Sequence, residues 1–215
     1  MVDGLNTSTF SPAKLIAGEF DRATRDITLT GGAALLAGAV LGRTVAAGAT
    51  VGAAVAGNTG NGAIGAVAAA AGAQIGVYRA VCIEPAADAG TLVVFDPAGV
   101  ELGRVVVGGA AFNNQVTFTI ADGAADFVAG DAFTITVAAG AEKFKLSAAA
   151  AVDGSQEPCA ILAQDTDPSG GDVVASVYLS GEFLKSALTF GAGHTVASTL
   201  WGLSQKNIYL RDSVA

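Results

Sequence analysis

The chain has 215 residues, with 11 Lys and Arg against 19 Asp and Glu for a formal net charge of −8, and only 14% of its residues are charged, against about 25% in an ordinary soluble domain. This acidity, with no cluster of Lys or Arg, excludes the phosphate-neutralising surface of a nucleic-acid binder. The length is enough for one large domain or two small ones with buried cores.

Residues 1–26 mix polar turn formers with isolated apolar anchors, Leu5, Phe10, Leu15, Ile16 and Phe20, and show no sustained period. They are expected to form an extended arm, either disordered or ordered against a partner, and the apolar anchors favour the second. From Asp26 the segment "DITLT" alternates Ile27 and Leu29 with Thr28 and Thr30, the period of a half-buried strand. "AVLGRTV" follows as a second strand.

The uncharged run after Arg43 reaches Tyr78, longer than the roughly 20 apolar residues a spanning helix needs. Its composition argues against a membrane span: Ala and Gly dominate, and "GNTGNG" at 57–62 breaks it into pieces too short to cross. Glycines spaced among Val, Leu and Thr suit short strands with tight corners. "GNTGNG" lacks the Lys-Ser/Thr ending of a phosphate loop and the spacing of a dinucleotide fingerprint, and reads as a flexible joint.

Between 58 and 140 the character changes. "QVTFTI" places Val116, Phe118 and Ile120 on one face, and "FTITV" does the same with Phe133, Ile135 and Val137. Threonine takes the other face in both, as in an antiparallel sheet with one solvated side. "YRAVCI" and "TLVVFDPAGVELGRVVVG" add at least three strands, about five in all, with "DPAG" at 96–99 as a hairpin turn. The segment holds six aromatics, Tyr78, Phe95, Phe112, Phe118, Phe127 and Phe133, enough for its own core, and two basic against seven acidic residues. An inserted acidic β-domain at 58–140 is expected, of antiparallel sandwich-like form.

After Lys143 strands resume in "PCAILAQDTD" and "VVASVYLSGEF", separated by the turn "PSGG". Val196, Leu200 and Leu203 share a helical face over about 195–206, with Thr195 as N-cap, and "IYLRD" closes the chain as a strand. The fold class is therefore all-β, a glycine-rich β core with one short C-terminal helix.

Candidate chemistry is sparse. Asp165, Asp167, Ser169 and Gly170 occupy EF-hand-like positions, but the twelfth position is Ser176 rather than a bidentate Glu. A turn held by Asp and Ser side chains is the preferred reading. His194 is the one histidine, so a triad or a His-based metal site would have to be built around it, and a structural role is preferred. No catalytic residue, metal or cofactor is assigned. Cys82 and Cys159 lie in segments assigned to different domains and are expected as free buried thiols in a reducing compartment. No basic region followed by an apolar run opens the chain, so cytoplasmic synthesis is expected.

The C-terminal third from "LSAAAAVDGSQEPCAILAQDTD" to "KNIYLRDSV", together with "LIAGEFDRATRDITL" and "GAALLAGAVLGRTVAAG", resembles the head decoration proteins of tailed bacteriophages, the lambda-type capsid-stabilising family. The likeness covers about 1–57 and 141–215 and leaves 58–140 as a departure from the shorter family pattern. It implies a decoration core at 27–57 and 141–215. It also implies a homotrimer at three-fold sites outside the expanded capsid, bound to the major capsid protein, with Phe10, Leu15, Ile16 and Phe20 as candidate capsid-binding anchors of the arm. No membrane, nucleic acid or cofactor enters that role. The competing reading is a tail or surface adhesin module whose acidic domain binds host-surface glycans, which exposed aromatics in that domain would favour.

Overall fold

The computed structural model describes residues 15–70 and 72–212. The strands, in chain order, are β1 (Thr24–Leu29), β2 (Val40–Arg43), β3 (Ala46–Ala54), β4 (Ala63–Ala69) and β5 (Gly76–Ala86). There follow β6 (Ala89–Phe95), β7 (Glu101–Val106), β8 (Phe112–Asn113), β9 (Val116–Ala121) and β10 (Ala132–Ala139). The last five are β11 (Phe144–Leu146), β12 (Pro158–Leu162), β13 (Val173–Tyr178), β14 (Gly181–Leu184) and β15 (Ile208–Arg211), with the helix α1 (Val196–Ser204) before β15. The all-β expectation with one short helix is met. Among the described residues no helix is long and apolar enough to cross a membrane.

Four sheets result: a closed barrel in the order β1-β11-β2-β12-β13, a five-stranded sheet β3-β10-β5-β6-β7, a three-stranded sheet β4-β9-β8, and the pair β14-β15. The chain divides into two compact units, Gly42–Glu157 and the pair of segments Met1–Leu41 and Pro158–Ala215. The strand β3, placed in the decoration core on sequence grounds, pairs antiparallel with β10, Phe133 opposite Ala54 and Ala139 opposite Ala46.

In the Gly42–Glu157 unit, the five- and three-stranded sheets share one core. Val116, Phe118 and Ile120 from β9 meet Phe133, Ile135 and Val137 from β10, with Tyr78, Leu92 and Phe127 between them. All are at most 2% exposed, and each such side chain contributes roughly 1.5–3 kcal/mol by leaving water. The alternation seen in the sequence thus marks the inner faces. Among the described residues between 58 and 140 there are seven strands rather than about five; β4 is made of Ala, Gly, Val and Ile without an aromatic anchor, and β8 has two residues. The predicted hairpin turn forms at 96–99. Gly99 N–H donates to the Asp96 carbonyl at 2.9 Å, the Asp96 carboxylate accepts from Ala98 and Val100 N–H, and Gly99 takes φ +83°.

"GNTGNG" is not the free joint expected from its composition. Asn58 bonds Ala132 through both its amide nitrogen (2.8 Å) and its carbonyl oxygen (2.9 Å). The buried Asp131 carboxylate accepts from Thr59 N–H (3.0 Å) and Gly60 N–H (2.7 Å). A Cβ at Gly60 would lie 2.7 Å from Phe127 Cα, so this glycine permits close packing on an aromatic ring rather than looseness.

In the other unit β1 and β13 run antiparallel, Ile27 opposite Ala175 and Leu29 opposite Val173, and β12 pairs with β13 through Ile161 and Leu162. The strands β14 and β15 are parallel, Phe183 opposite Leu210. A parallel pair needs a crossover, which α1 provides. The core here is Val40, Ile161, Phe183, Leu203, Ile208 and Leu210. Thr195 caps α1 as predicted, in a reciprocal box with Ser198. The buried arc of the helix runs through Thr199 and Leu203, so Leu200, assigned to that face in the sequence, is 42% exposed. Four residues advance a helix by more than one turn, which carries Leu200 past the edge of so narrow an arc.

Candidate functional site

The segment 15–23 is built onto the edge of β14. Leu184 N–H donates to Leu15 O at 3.0 Å, Ala17 N–H to Glu182 O at 2.9 Å, and Ile16 bridges antiparallel to Phe183. Farther on, Leu179 N–H donates to Ala23 O, and the Ser180 hydroxyl both accepts from Ala23 N–H and donates to Asp21 O. The predicted arm is therefore anchored from Leu15 onward, and β1 begins at Thr24 within it.

The four anchor residues divide three ways. Leu15 and Ile16 are half-buried against the chain's own core beside Phe183 and Ile208. Phe20 stays 40% exposed and lays its ring edge-on to Tyr209, centroids 5.1 Å apart. Phe10 lies outside the described residues. The structure thus brings Leu15, Ile16 and Phe20 to one strand edge, but only Phe20 presents a large apolar surface there.

Glycine and charge shape this edge. A Cβ at Gly18 would overlap the Glu182 carboxylate, so the backbone approaches that side chain closely. Arg211 Nε donates to Glu182 Oε1 at 2.9 Å, and a second guanidinium nitrogen reaches the same oxygen. The Arg211 hydrogen bond is the main cause holding the Glu182 carboxyl below its usual range. Two shallow concavities flank the pair, one of about 410 Å³ lined by Gly18, Glu19, Phe20, Asp21 and Arg22, the other of about 490 Å³ lined by Ala17, Glu182, Leu210, Arg211 and Asp212. They are open hollows with charged side chains and few apolar ones in their lining, unlike the predominantly apolar lining of a small-molecule pocket.

Sequence reasoning passed over the most exposed apolar side chains of this unit: Trp201 at 74%, Val174 at 69% and Leu36 at 64%. Trp201 lies one residue beyond the predicted helical face, and its being the one tryptophan of the chain was the available signal. Tryptophan is enriched in the energetic centres of protein interfaces.

The remaining candidates have structural surroundings. Asp167 accepts from Ser169 N–H at 3.0 Å, as in a turn held by its own carboxylate, whereas the Asp165 carboxylate accepts from the distant Ala37 N–H at 2.8 Å. His194 N–H donates to Gly191 O in the turn before α1. Cys82 is buried, Cys159 is half-buried, and no disulfide joins them; burial, then the Asp131 charge, pushes the Cys82 thiol up. Among the described residues one group of three possible metal-ligating side chains comes together, Asp88, Asp122 and Asp126, whose oxygens lie within 4.8 Å of one another. Of the six aromatics counted in the acidic segment, Tyr78, Phe112, Phe118, Phe127 and Phe133 are buried. Those five are core, not the exposed aromatics of a glycan-binding face.

The family model described as Bacteriophage lambda head decoration protein D matches residues 97–205, just over half of the chain. The match begins inside the acidic segment and runs through α1. No curated protein matches. Two solved structures of FlgL from Xanthomonas campestris, in space groups H3 and C2, are similar at 23% and 24% identity over 47% and 49% of this chain, each with a TM-score of 0.33. The chain spans about a third of their length, 33% in each, and a likeness at that level carries no argument.

Proposed function

The chain belongs to the bacteriophage lambda head decoration protein D family, and from that membership we propose that it binds the outside of the expanded phage head as a homotrimer at three-fold sites. There it contacts the major capsid protein and stabilises the shell against the pressure of packed DNA. The observation that carries this reading is the family match over residues 97–205. The protein is a structural part of the head, made in the host cytoplasm, and acts by binding rather than by catalysis.

The physics is that of linkage. A protein that binds the mature lattice and not its immature or disrupted forms stabilises it by about 2.7 kcal/mol per site at a hundredfold excess over Kd. Three-fold closure lets each assembly contact several capsid subunits at once, so modest contacts add through effective concentration. Support comes from the exposed apolar side chains Phe20, Leu36, Val174, Leu200 and Trp201. In this reading Leu15 and Ile16 fix the segment that presents Phe20, and Phe10 extends the same contact.

The test is to heat DNA-filled heads that lack the protein, with and without saturating addition of it. Saturation raises the temperature of DNA release. Heads that take up the protein and still release DNA at the unchanged temperature overturn the stabilising role.

A further inference from the structure

We propose that the outer face of the five-stranded sheet is a contact surface for a second copy of this chain, and that it docks on the acidic end of the same unit in that copy. On β5 to β7 the inward positions carry the core, and Val77, Arg79 and Val81 of β5, Val93 of β6 and Arg104 and Val106 of β7 point the other way, Val93 buried at 5% exposure and Val81 half-buried. The register sets Val81 beside Val93, Val93 beside Arg104, and Arg79 beside the half-buried Phe95. On β10 the same outer face carries Thr134 and Thr136, opposite Arg79 and Val77, as a solvated face should. The β5–β7 part departs from that rule: Val77 is 47% and Val106 49% exposed.

Charge says what covers this face. Arg79 and Arg104 are the two basic residues between 58 and 140, against seven acidic ones, and both stand on it. Arg104 is 3.8 Å from Glu84 and from Glu101 in exposed, weak pairs. Arg79 pairs with no carboxylate among the described residues. At the other end of β5, Asp88 in the turn to β6 joins Asp122 and Asp126; Asp122 Oδ1 is buried, and the carboxylates exposed there are those of Asp88 and Asp126.

At about 3.3 Å per residue, the chain from Arg79 to that turn spans about 25–30 Å. One copy cannot bring its own Arg79 to those carboxylates. A second copy does so head to tail, with a guanidinium fork on carboxylate oxygens and valines beneath. Because the whole chain carries −8, copies repel each other except where the arginine face meets acid, which sets the register of the contact. The contact does not depend on the head-binding reading.

Sedimentation velocity of the full chain over a concentration series, at about 50 mM and 500 mM salt, tests it. Wild type forms species larger than its smallest assembly at low salt and loses them at high salt. Arg79→Glu, and separately Val77→Asp, weaken that association at least tenfold with unchanged circular dichroism, and mixing Arg79→Glu with Asp126→Arg chains restores it. Wild type showing no concentration dependence, or Arg79→Glu associating as wild type does, overturns the proposal. Head binding by the Arg79→Glu chain stays at the wild-type level, which separates this contact from the capsid contact.

Discussion

Replacing Asp131 with alanine removes the acceptor that ties the 58–60 segment to the turn before β10. The carboxylate takes N–H bonds from Gly60 at 2.7 Å, Thr59 at 3.0 Å and Val128 at 3.1 Å, and the residue is 5% exposed. The Gly60 bond is buried and bears on a charged acceptor, a class that contributes roughly 1.5–3 kcal/mol; the other two donors can meet water once the carboxylate is gone and cost about 0.5–1 kcal/mol each. The expected loss is about 3 kcal/mol, or about 10 °C in melting temperature for a chain of this size. Burial pushes the Asp131 carboxyl up, but the three N–H bonds outweigh it and hold the folded-state pKa below its ordinary value. A depressed carboxylate contributes stability above its unfolded pKa of about 3.9 and loses it as pH falls through the folded value. Thermal unfolding followed by circular dichroism between pH 7 and 3 therefore shows the gap between wild type and Asp131→Asn narrowing as the pH falls. An Asp131→Ala chain melting within 2 °C of wild type at pH 7, or parallel pH profiles for wild type and Asp131→Asn, would refute the reasoning.

Phe183→Ala removes a fully buried ring from the core of the other unit and costs about 3–5 kcal/mol in urea unfolding. Thr195→Ala removes the cap of α1 and costs about 1 kcal/mol by the same assay. Trp201→Asp leaves the melting temperature within a degree or two, because the side chain is 74% exposed, and lowers affinity for the head at least tenfold in a pelleting assay. Excising 58–140 strips β10 from β3 and yields a poorly soluble product, as an unpaired strand edge invites aggregation. Excising 47–138 joins positions that the register pairs, Ala46 opposite Ala139, and leaves a soluble folded remnant, judged by circular dichroism and gel filtration.

What was legible in the sequence was what period and turn chemistry record locally. The alternation of Val116, Phe118 and Ile120 and of Phe133, Ile135 and Val137 gave the inner faces, "DPAG" gave a turn, and Thr195 gave a helix start. Where long-range packing decides, the sequence was silent or misleading. The glycines of "GNTGNG" read as looseness because composition does not reveal the Phe127 ring that requires Gly60. The strand β4 lacked bulky residues to betray it, and the parallel pairing of β14 with β15 joins segments that nothing in either stretch connects. At the candidate site the anchor pattern was visible, but not that Leu15 and Ile16 pack on the chain's own core while Trp201 faces outward. Burial of an isolated apolar residue is a tertiary fact, and one residue of rotation on a short helix reverses it.

The central claim is recognition of the mature head, and its most direct test is co-sedimentation of the purified protein with two shells of its phage, the unexpanded precursor and the expanded head lacking decoration. Saturable binding to the expanded shell alone, at three copies per three-fold site, is the predicted result; equal binding to both shells, or to neither, would contradict it.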